Sequence, residues 1–287
     1  MKTTPTQLAL PKGRMFEEIA QLLAEAGCPV KTSARDYRAR VPLEGFSTKI
    51  LKPQSIVEML SVGRRDVGFA GADWVAELDA QVVELLDTGL NPVQIVAAAP
   101  TDLLEEGRLP RRPLIIASEY ERITRNWIRE ENIEARFVRS WGATEVLPPE
   151  DADCIVDNTA TGSTLEANRL TIVDTLMTSS TRLYANPRAM DNPESRERIE
   201  ALVMLLQSVL EARARVMLEV NVEAAYLDQV ISLVPAMRQP TVARLTIGEA
   251  YALKAAVPRE ELPKLIPELK KAGASDLVVS RIDQIVP

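Results

Sequence analysis

The segment Asp153–Asn168 constrains the fold more than any other part of the chain. Cys154, Ile155 and Val156 form a short apolar run of the kind that makes a buried strand. Asp157 closes the run with a carboxylate, Thr159 to Thr164 is small, hydroxylated and broken by Gly162, and Leu165 onward has the composition of a helix start. The same order of apolar strand, marked turn and helix recurs at Leu8–Ala26, Thr48–Val62 and Val67–Trp74. Such repetition argues for an α/β domain with a largely parallel sheet, whose ligands bind beyond the carboxyl ends of the strands.

The turn after Val156 suits an anion. Backbone N–H groups converge at a helix start, and the helix dipole favours negative charge. Threonine and serine hydroxyls add donors without bulk, and Gly162 lets the backbone approach a ligand closely. Asp157 adds an acceptor for the hydroxyls of a sugar carried on a phosphate, or a hold on a magnesium ion or its waters. The same residues also read as an ordinary capped helix, with Thr161, Ser163 or Thr164 as N-cap and Glu166 complementing the dipole. The flanking acid and the density of hydroxyls favour the phosphosugar site.

Composition narrows the chemistry. The 287 residues include no histidine, which excludes Ser-His-Asp and Cys-His catalysis and any His-ligated metal. Carboxylates, Lys and Arg, hydroxyls, backbone dipoles and Mg²⁺ remain. A net charge of −7 without a basic block argues against a nucleic-acid partner, and no apolar run approaches the length of a membrane span. Met1 to Ala9 lacks the pattern of a secretory leader, so a cytoplasmic location is expected. Cys28 and Cys154 read as small buried hydrophobes in a reducing compartment.

Further candidates follow in chain order. Lys12, Gly13 and Arg14 form a cationic turn between the first strand and its helix, and Arg14 offers a bidentate fork to polyphosphate. Lys52 ends the second strand, and Ser55 is an N-cap candidate for the helix to Val62. Gly71 and Asp73 follow the third. Gln94–Ala99 reads as a strand crossing into a second lobe, Asp102–Pro113 as a surface connection, and Thr171–Tyr184 as the return strand. Arg122, Arg125 and Arg129 lie at helical spacing among Glu121, Glu130 and Glu131, which reads as a solvated face. Ser140–Glu145 reads as a small-residue turn into a helix ending at Pro148-Pro149, and Pro193–Met217 as a long helix. From Leu218 the order β-α-β-β-α-β suggests an appended ferredoxin-like module.

Asp157–Thr164 resembles the phosphoribosyl-pyrophosphate loop of phosphoribosyltransferases, although Asn158 stands where the common type has a second acid. The wider string Asp151–Leu170, together with Pro11-Lys12-Gly13-Arg14, the Arg35–Arg38 cluster, Gly68–Asp73 and Pro240–Leu245, resembles the long-form ATP phosphoribosyltransferase family. The resemblance implies an α/β, two-lobed, periplasmic-binding-protein-like catalytic region with a C-terminal ferredoxin-like, ACT-like regulatory domain. Residues 1–95 with 181–212 would form lobe I, 96–180 lobe II, and 213–287 the regulatory domain.

It implies transfer of phosphoribosyl from phosphoribosyl pyrophosphate to N1 of the adenine of ATP, with Mg²⁺ and release of pyrophosphate. Asp157, Thr159, Ala160, Thr161, Gly162, Ser163, Thr164 and Leu165 would hold phosphoribosyl pyrophosphate, and Lys12, Gly13, Arg14, Lys52, Gly71 and Asp73 would face ATP. Asp157 and Glu145 would act at the reacting ribose and on the metal through water or substrate. Asn221, Thr241, Ala274 and Ser275 would bind histidine as feedback inhibitor, and a homo-oligomer between dimer and hexamer is implied. Within the family's pattern Ala70 replaces a threonine and Arg244 a proline. A ligand-binding module with a sensing tail, and a phosphoribosyltransferase with another acceptor, are the alternative readings. The first leaves the Thr-Gly loop unexplained; Asn158 and the tail argue against the second.

Overall fold

The computed structural model describes residues 4–32, 38–246 and 248–286. Arg35, Asp36 and Tyr37 lie outside the described residues. The chain divides into two compact units, Met1–Gln21 with Cys28–Glu200, and Leu22–Gly27 with Ala201–Pro287.

In the first unit the sequence grammar becomes structure directly. β1 (Thr6–Pro11) leads into α1 (Arg14–Glu25), β2 (Phe46–Leu51) into α2 (Pro53–Ser61), and β3 (Val67–Gly71) into α3 (Ala72–Glu77). β1 pairs in parallel with both β2 and β3. The chain then makes the long strand β4 (Val83–Pro100), β5 (Leu114–Ser118), α4 (Glu121–Glu130), β6 (Ala135–Arg139), β7 (Cys154–Thr159), α5 (Ser163–Ala167) and a second long strand, β8 (Leu170–Ala185). A short helix α6 (Pro187–Asp191) precedes the long helix α7 (Pro193–Ala214). β5 pairs in parallel with β6 and β7.

One eight-stranded sheet results, in the order β2-β1-β3-β8-β4-β7-β5-β6. The two parallel groups are joined by β8 and β4, which pair antiparallel with each other and with their outer neighbours β3 and β7. The sheet is therefore parallel in each flank and antiparallel at its centre. Ile95–Ala99 of β4 are fully buried, because this strand is covered on both faces. Ile95, Ala97 and Ala99 pack with Ile116, Tyr120 and Val156, while Val96 and Ala98 pack with Ala117, Ile155 and Leu165. That is the two-residue alternation of a strand inside a sandwich of helices.

Several local expectations are corrected. Ser55 is not the N-cap of α2; that position is Lys52, with Pro53 in the first turn. Proline's fixed φ and missing N–H suit a helix start, so the helix begins earlier than the hydroxyl suggests. Ser140–Glu145 does not lead into an α-helix; only the short turn Thr144–Val146 forms. Gly142 and Ala143 have positive φ, and the prolines at 148 and 149 leave too few residues for a full helix. The long helix ends at Ala214 rather than Met217. The crossing strand extends back to Val83. Its turn-like residues Gly89 and Asn91 take positive φ within register shifts against β8, as bulges rather than a chain reversal. The arginines of α4 form a solvated face: Arg125 pairs with Glu121 at 2.8 Å and Arg122 with Asp79 at 3.0 Å.

The second unit contains β9 (Arg215–Glu223), α8 (Leu227–Leu233), β10 (Thr241–Arg244), β11 (Ala250–Pro258), α9 (Leu262–Lys271) and β12 (Ala274–Ser280). This is the β-α-β-β-α-β order read from the sequence, as a four-stranded antiparallel sheet β10-β11-β9-β12. Val216, Leu218, Val220 and Val222 alternate into a core with Val230, Leu253, Val257, Leu265 and Leu269. That alternation starts at Val216, which is why the strand begins three residues before Leu218.

Candidate active site

The ends of β3, β5 and β7 carry the residues that matter. β5 and β7 are in register at Ser118 and Val156, so Glu119 and Asp157 leave the sheet side by side. The Ser118 hydroxyl donates to the Val156 carbonyl at 2.6 Å and accepts from the Tyr120 N–H at 2.9 Å. Asp157 begins the loop. Its Oδ1 accepts from the Asn158 N–H at 2.7 Å and from the Asn158 amide Nδ2 at 3.3 Å.

The loop then folds on itself. The Gly162 N–H donates to Thr159 Oγ1 at 2.9 Å, and the hydroxyls of Thr161 and Ser163 lie 3.0 Å apart. Gly162 has φ 81° as the residue capping α5, a left-handed conformation that favours glycine. Ala160, Thr161, Ser163 and Thr164 are exposed. The first N–H groups of the helix and a set of hydroxyls thus face outward together, as an anion cradle requires. Leu165 is different: its side chain is buried against Val96 and Ala98, so only its backbone is available to a ligand.

Asp157 sits in an unfavourable place for a charge. Burial, and then the nearby charges of Glu145 and Glu119, push its pKa up to about 6 against the opposing bond from the Asn158 N–H. Glu119 was not among the sequence candidates. It follows β5 as Asp157 follows β7, so the rule of ligands beyond strand ends was the available signal. Among the described residues no group of three or more His, Cys, Asp or Glu side chains could hold a metal ion by itself.

On the other flank, Pro11 of β1 is in register with Leu51 of β2, so Lys12 and Lys52 emerge together and both are exposed. Arg14, Gly71 and Asp73 line a cleft of about 340 Å³ with Trp74, Tyr120 and Asn158. The strand β8 contributes Ser179, Ser180 and Thr181, and β4 contributes Asn91. The hydroxyl run at 178–181 was visible in the sequence, but only the pairing of β8 with β3 and β4 brings it here. Asp73 is buried, and both its oxygens are engaged: Oδ1 accepts from Ser179 Oγ at 2.7 Å and Oδ2 from Tyr120 Oη at 2.8 Å. A larger groove of about 1050 Å³ near Arg108, Arg111 and Trp127 gathers none of the sequence candidates.

This geometry pairs a phosphosugar loop with a cationic cleft, and comparison with known proteins agrees. The family model described as ATP phosphoribosyltransferase (HisG) matches residues 52–208, and that of the HisG C-terminal domain matches residues 212–284.

The chain belongs to the ATP phosphoribosyltransferase family.

An ATP phosphoribosyltransferase of Chlorobium chlorochromatii is 36% identical over 98% of this chain and 97% of its own. That of Pelotomaculum thermopropionicum is 35% identical over 98% and 99%. A solved structure titled ATP phosphoribosyl transferase (HisG:HisZ) complex from Thermotoga maritima superposes with a TM-score of 0.63 at 25% identity, covering 72% of this chain and 98% of that one. The chain is thus an ATP phosphoribosyltransferase, a pentosyltransferase of the first step of histidine biosynthesis, which joins phosphoribosyl pyrophosphate to ATP. Among the described residues no helix is long and apolar enough to cross a membrane.

In the second unit, Asn221 and Ser275 are partners across β9 and β12. The Asn221 amide donates to Asp276 Oδ2 at 3.0 Å. Thr241 is exposed on β10, two strands away from β9. Ala274 turns its methyl into the core. Asp276, with φ 46° at the irregularity of β12, is the neighbour that sequence reading missed.

Proposed function

We propose that ATP occupies the cleft lined by Arg14, Gly71, Trp74 and Thr181, and that phosphoribosyl pyrophosphate occupies the loop from Asp157 to Leu165. The observation that carries this reading is that Asn158 belongs to both: it lines the cleft and is bonded to Asp157 at the head of the loop. The two substrates would then meet across one residue, as attack of adenine N1 on ribose C1 requires.

The transition state has oxocarbenium character and a departing polyanion. Such a reaction is helped chiefly by positioning and charge neutralisation. Thr161, Ser163, Thr164 and the backbone of the turn hold the 5′-phosphate. Asp157, with Glu145, accepts hydrogen bonds from the ribose hydroxyls. Lys12, Lys52 and Arg14 face the phosphates of ATP. Gly71 and Asp73 shape the floor of the cleft.

The oxygen-only donor set of Asp157, Glu145 and Glu119, which accumulates negative charge around a half-buried carboxylate, fits Mg²⁺ that takes its remaining ligands from substrate and water. When bound there, Mg²⁺ would supply neutralisation of the leaving pyrophosphate.

The two parallel flanks joined by β4 and β8 support a two-lobed, periplasmic-binding-protein-like region, with lobes 1–95 with 181–212 and 96–180. The order of elements in residues 213–287 supports a ferredoxin-like, ACT-like regulatory domain that takes histidine at Asn221, Ser275, Thr241 and the backbone of Ala274. A cytoplasmic homo-oligomer, dimer to hexamer, completes the reading.

The test is pyrophosphate release from ATP, phosphoribosyl pyrophosphate and Mg²⁺, with and without histidine. Release that needs both substrates and metal and falls with histidine is expected. Release indifferent to histidine would remove the regulatory assignment. A sample that binds phosphoribosyl pyrophosphate but releases nothing with ATP would overturn the site assignments.

A further inference from the structure

We propose that Tyr120 is a positioning residue whose hydroxyl couples the nucleotide side of the active site to the phosphoribosyl side. The inference rests on the substrate assignment made above.

Tyr120 follows the end of β5 and is 2% exposed. Its backbone is clamped to β7 through Ser118, and its ring lies 4.8 Å from that of Trp74. Burial, reinforced by the charge of Asp73, raises the phenol's pKa, so the hydroxyl keeps its single proton. That proton goes to Asp73 Oδ2 at 2.8 Å. The phenol oxygen is then an acceptor only, and it takes the Asn158 amide at 3.2 Å. The same amide nitrogen reaches Asp157 Oδ1 at 3.3 Å. At the far end, Asp73 Oδ1 takes the Ser179 hydroxyl at 2.7 Å, and the Asp73 N–H returns to that oxygen at 3.1 Å.

The direction of every link is therefore determined. Ser179 and Tyr120 donate to Asp73, and Asn158 donates to Tyr120 and to Asp157. A nucleotide that shifts the Gly71–Asp73 turn moves Oδ2, and with it the phenol oxygen, the Asn158 amide and the carboxylate that meets the ribose. A tyrosine serving only to satisfy a buried aspartate needs no bond from Asn158, which is exposed and can find water.

The test is equilibrium binding of ATP with and without saturating ribose 5-phosphate, which lacks the leaving group and does not turn over. In the wild type, ribose 5-phosphate is expected to change the Kd of ATP by about fivefold or more, and ATP to change that of ribose 5-phosphate by the same factor. Tyr120→Phe keeps the ring and its stacking but removes the hydroxyl. Asn158→Ala breaks the next link from an exposed position, without disturbing the core. Both variants should bind each ligand alone while the mutual effect collapses to within about twofold of none. No mutual effect in the wild type, or one that survives in either variant, overturns the proposal. A wild type that binds neither ATP nor ribose 5-phosphate sinks the substrate assignment first, and the proposal with it. Should Tyr120→Phe fold poorly, Asn158→Ala decides alone.

Discussion

Gly71→Ala should destabilise this enzyme far more than its backbone geometry suggests. Gly71 has φ −73° and ψ 144°, a conformation any residue adopts, so strain is not the reason for glycine here. The reason is space: a Cβ at this position would fall on Asp73 Oδ1. Asp73 is 6% exposed, and its two oxygens are held by Ser179 at 2.7 Å and Tyr120 at 2.8 Å. A displaced carboxylate loses the first bond and misaligns the second while remaining buried. A hydrogen bond to a charged group contributes about 1.5–3 kcal/mol, so the substitution should cost about 3–5 kcal/mol. Urea unfolding should register this as a lower midpoint with an unchanged slope. Gly162→Ala is the control. Its φ of 81° is left-handed, yet nothing lies within 4 Å of the added Cβ, so only the conformational cost of about 1–2 kcal/mol applies. A Gly71→Ala protein within about 0.5 kcal/mol of wild type, the usual scatter of harmless substitutions, would refute the reasoning. So would a Gly162→Ala protein that suffers more.

Three other outcomes are expected. Asp157 must be ionised to accept hydrogen bonds, so kcat/KM for phosphoribosyl pyrophosphate should rise as pH climbs through about 6, and Asp157→Asn should abolish that inflection. The same raised value means that ionisation costs the folded state. Asp157 should therefore add stability as pH falls from above about 6 towards the ordinary carboxylate value of about 4, and thermal melts of Asp157→Asn should lack this gain. Arg14→Ala should raise the KM of ATP about tenfold through loss of a charge-assisted contact, with the KM of phosphoribosyl pyrophosphate moving by less than about twofold; equal rises would place Arg14 elsewhere. Asn221→Ala should raise the histidine concentration for half-inhibition by about tenfold, the loss of one good polar contact; an unchanged value would move the inhibitor away from the Asn221–Ser275 row.

Much of this was legible in the chain itself. Apolar triplets such as Cys154–Val156 must be buried, and hydroxyl and glycine turns before helices leave donors facing outward. Local sequence therefore located the loop at 157–165, the cationic turn at 12–14 and the β-α-β-β-α-β order of the tail. Those properties depend on residues close together in the chain. The tertiary structure decided what depends on distant ones. It drew Gly89 and Asn91 into a long strand, because pairing with β8 outweighs their preference for turns. It set Glu119 beside Asp157 through the register of β5 and β7, and brought Ser179 to Asp73 across 106 residues. It also turned Leu165 and Ala274, both read as ligand contacts, into core. Sequence could name the acid at the strand end; the raised pKa of that acid, and the tyrosine that links it to the nucleotide cleft, arise from burial and proximity that exist only once the sheet has formed.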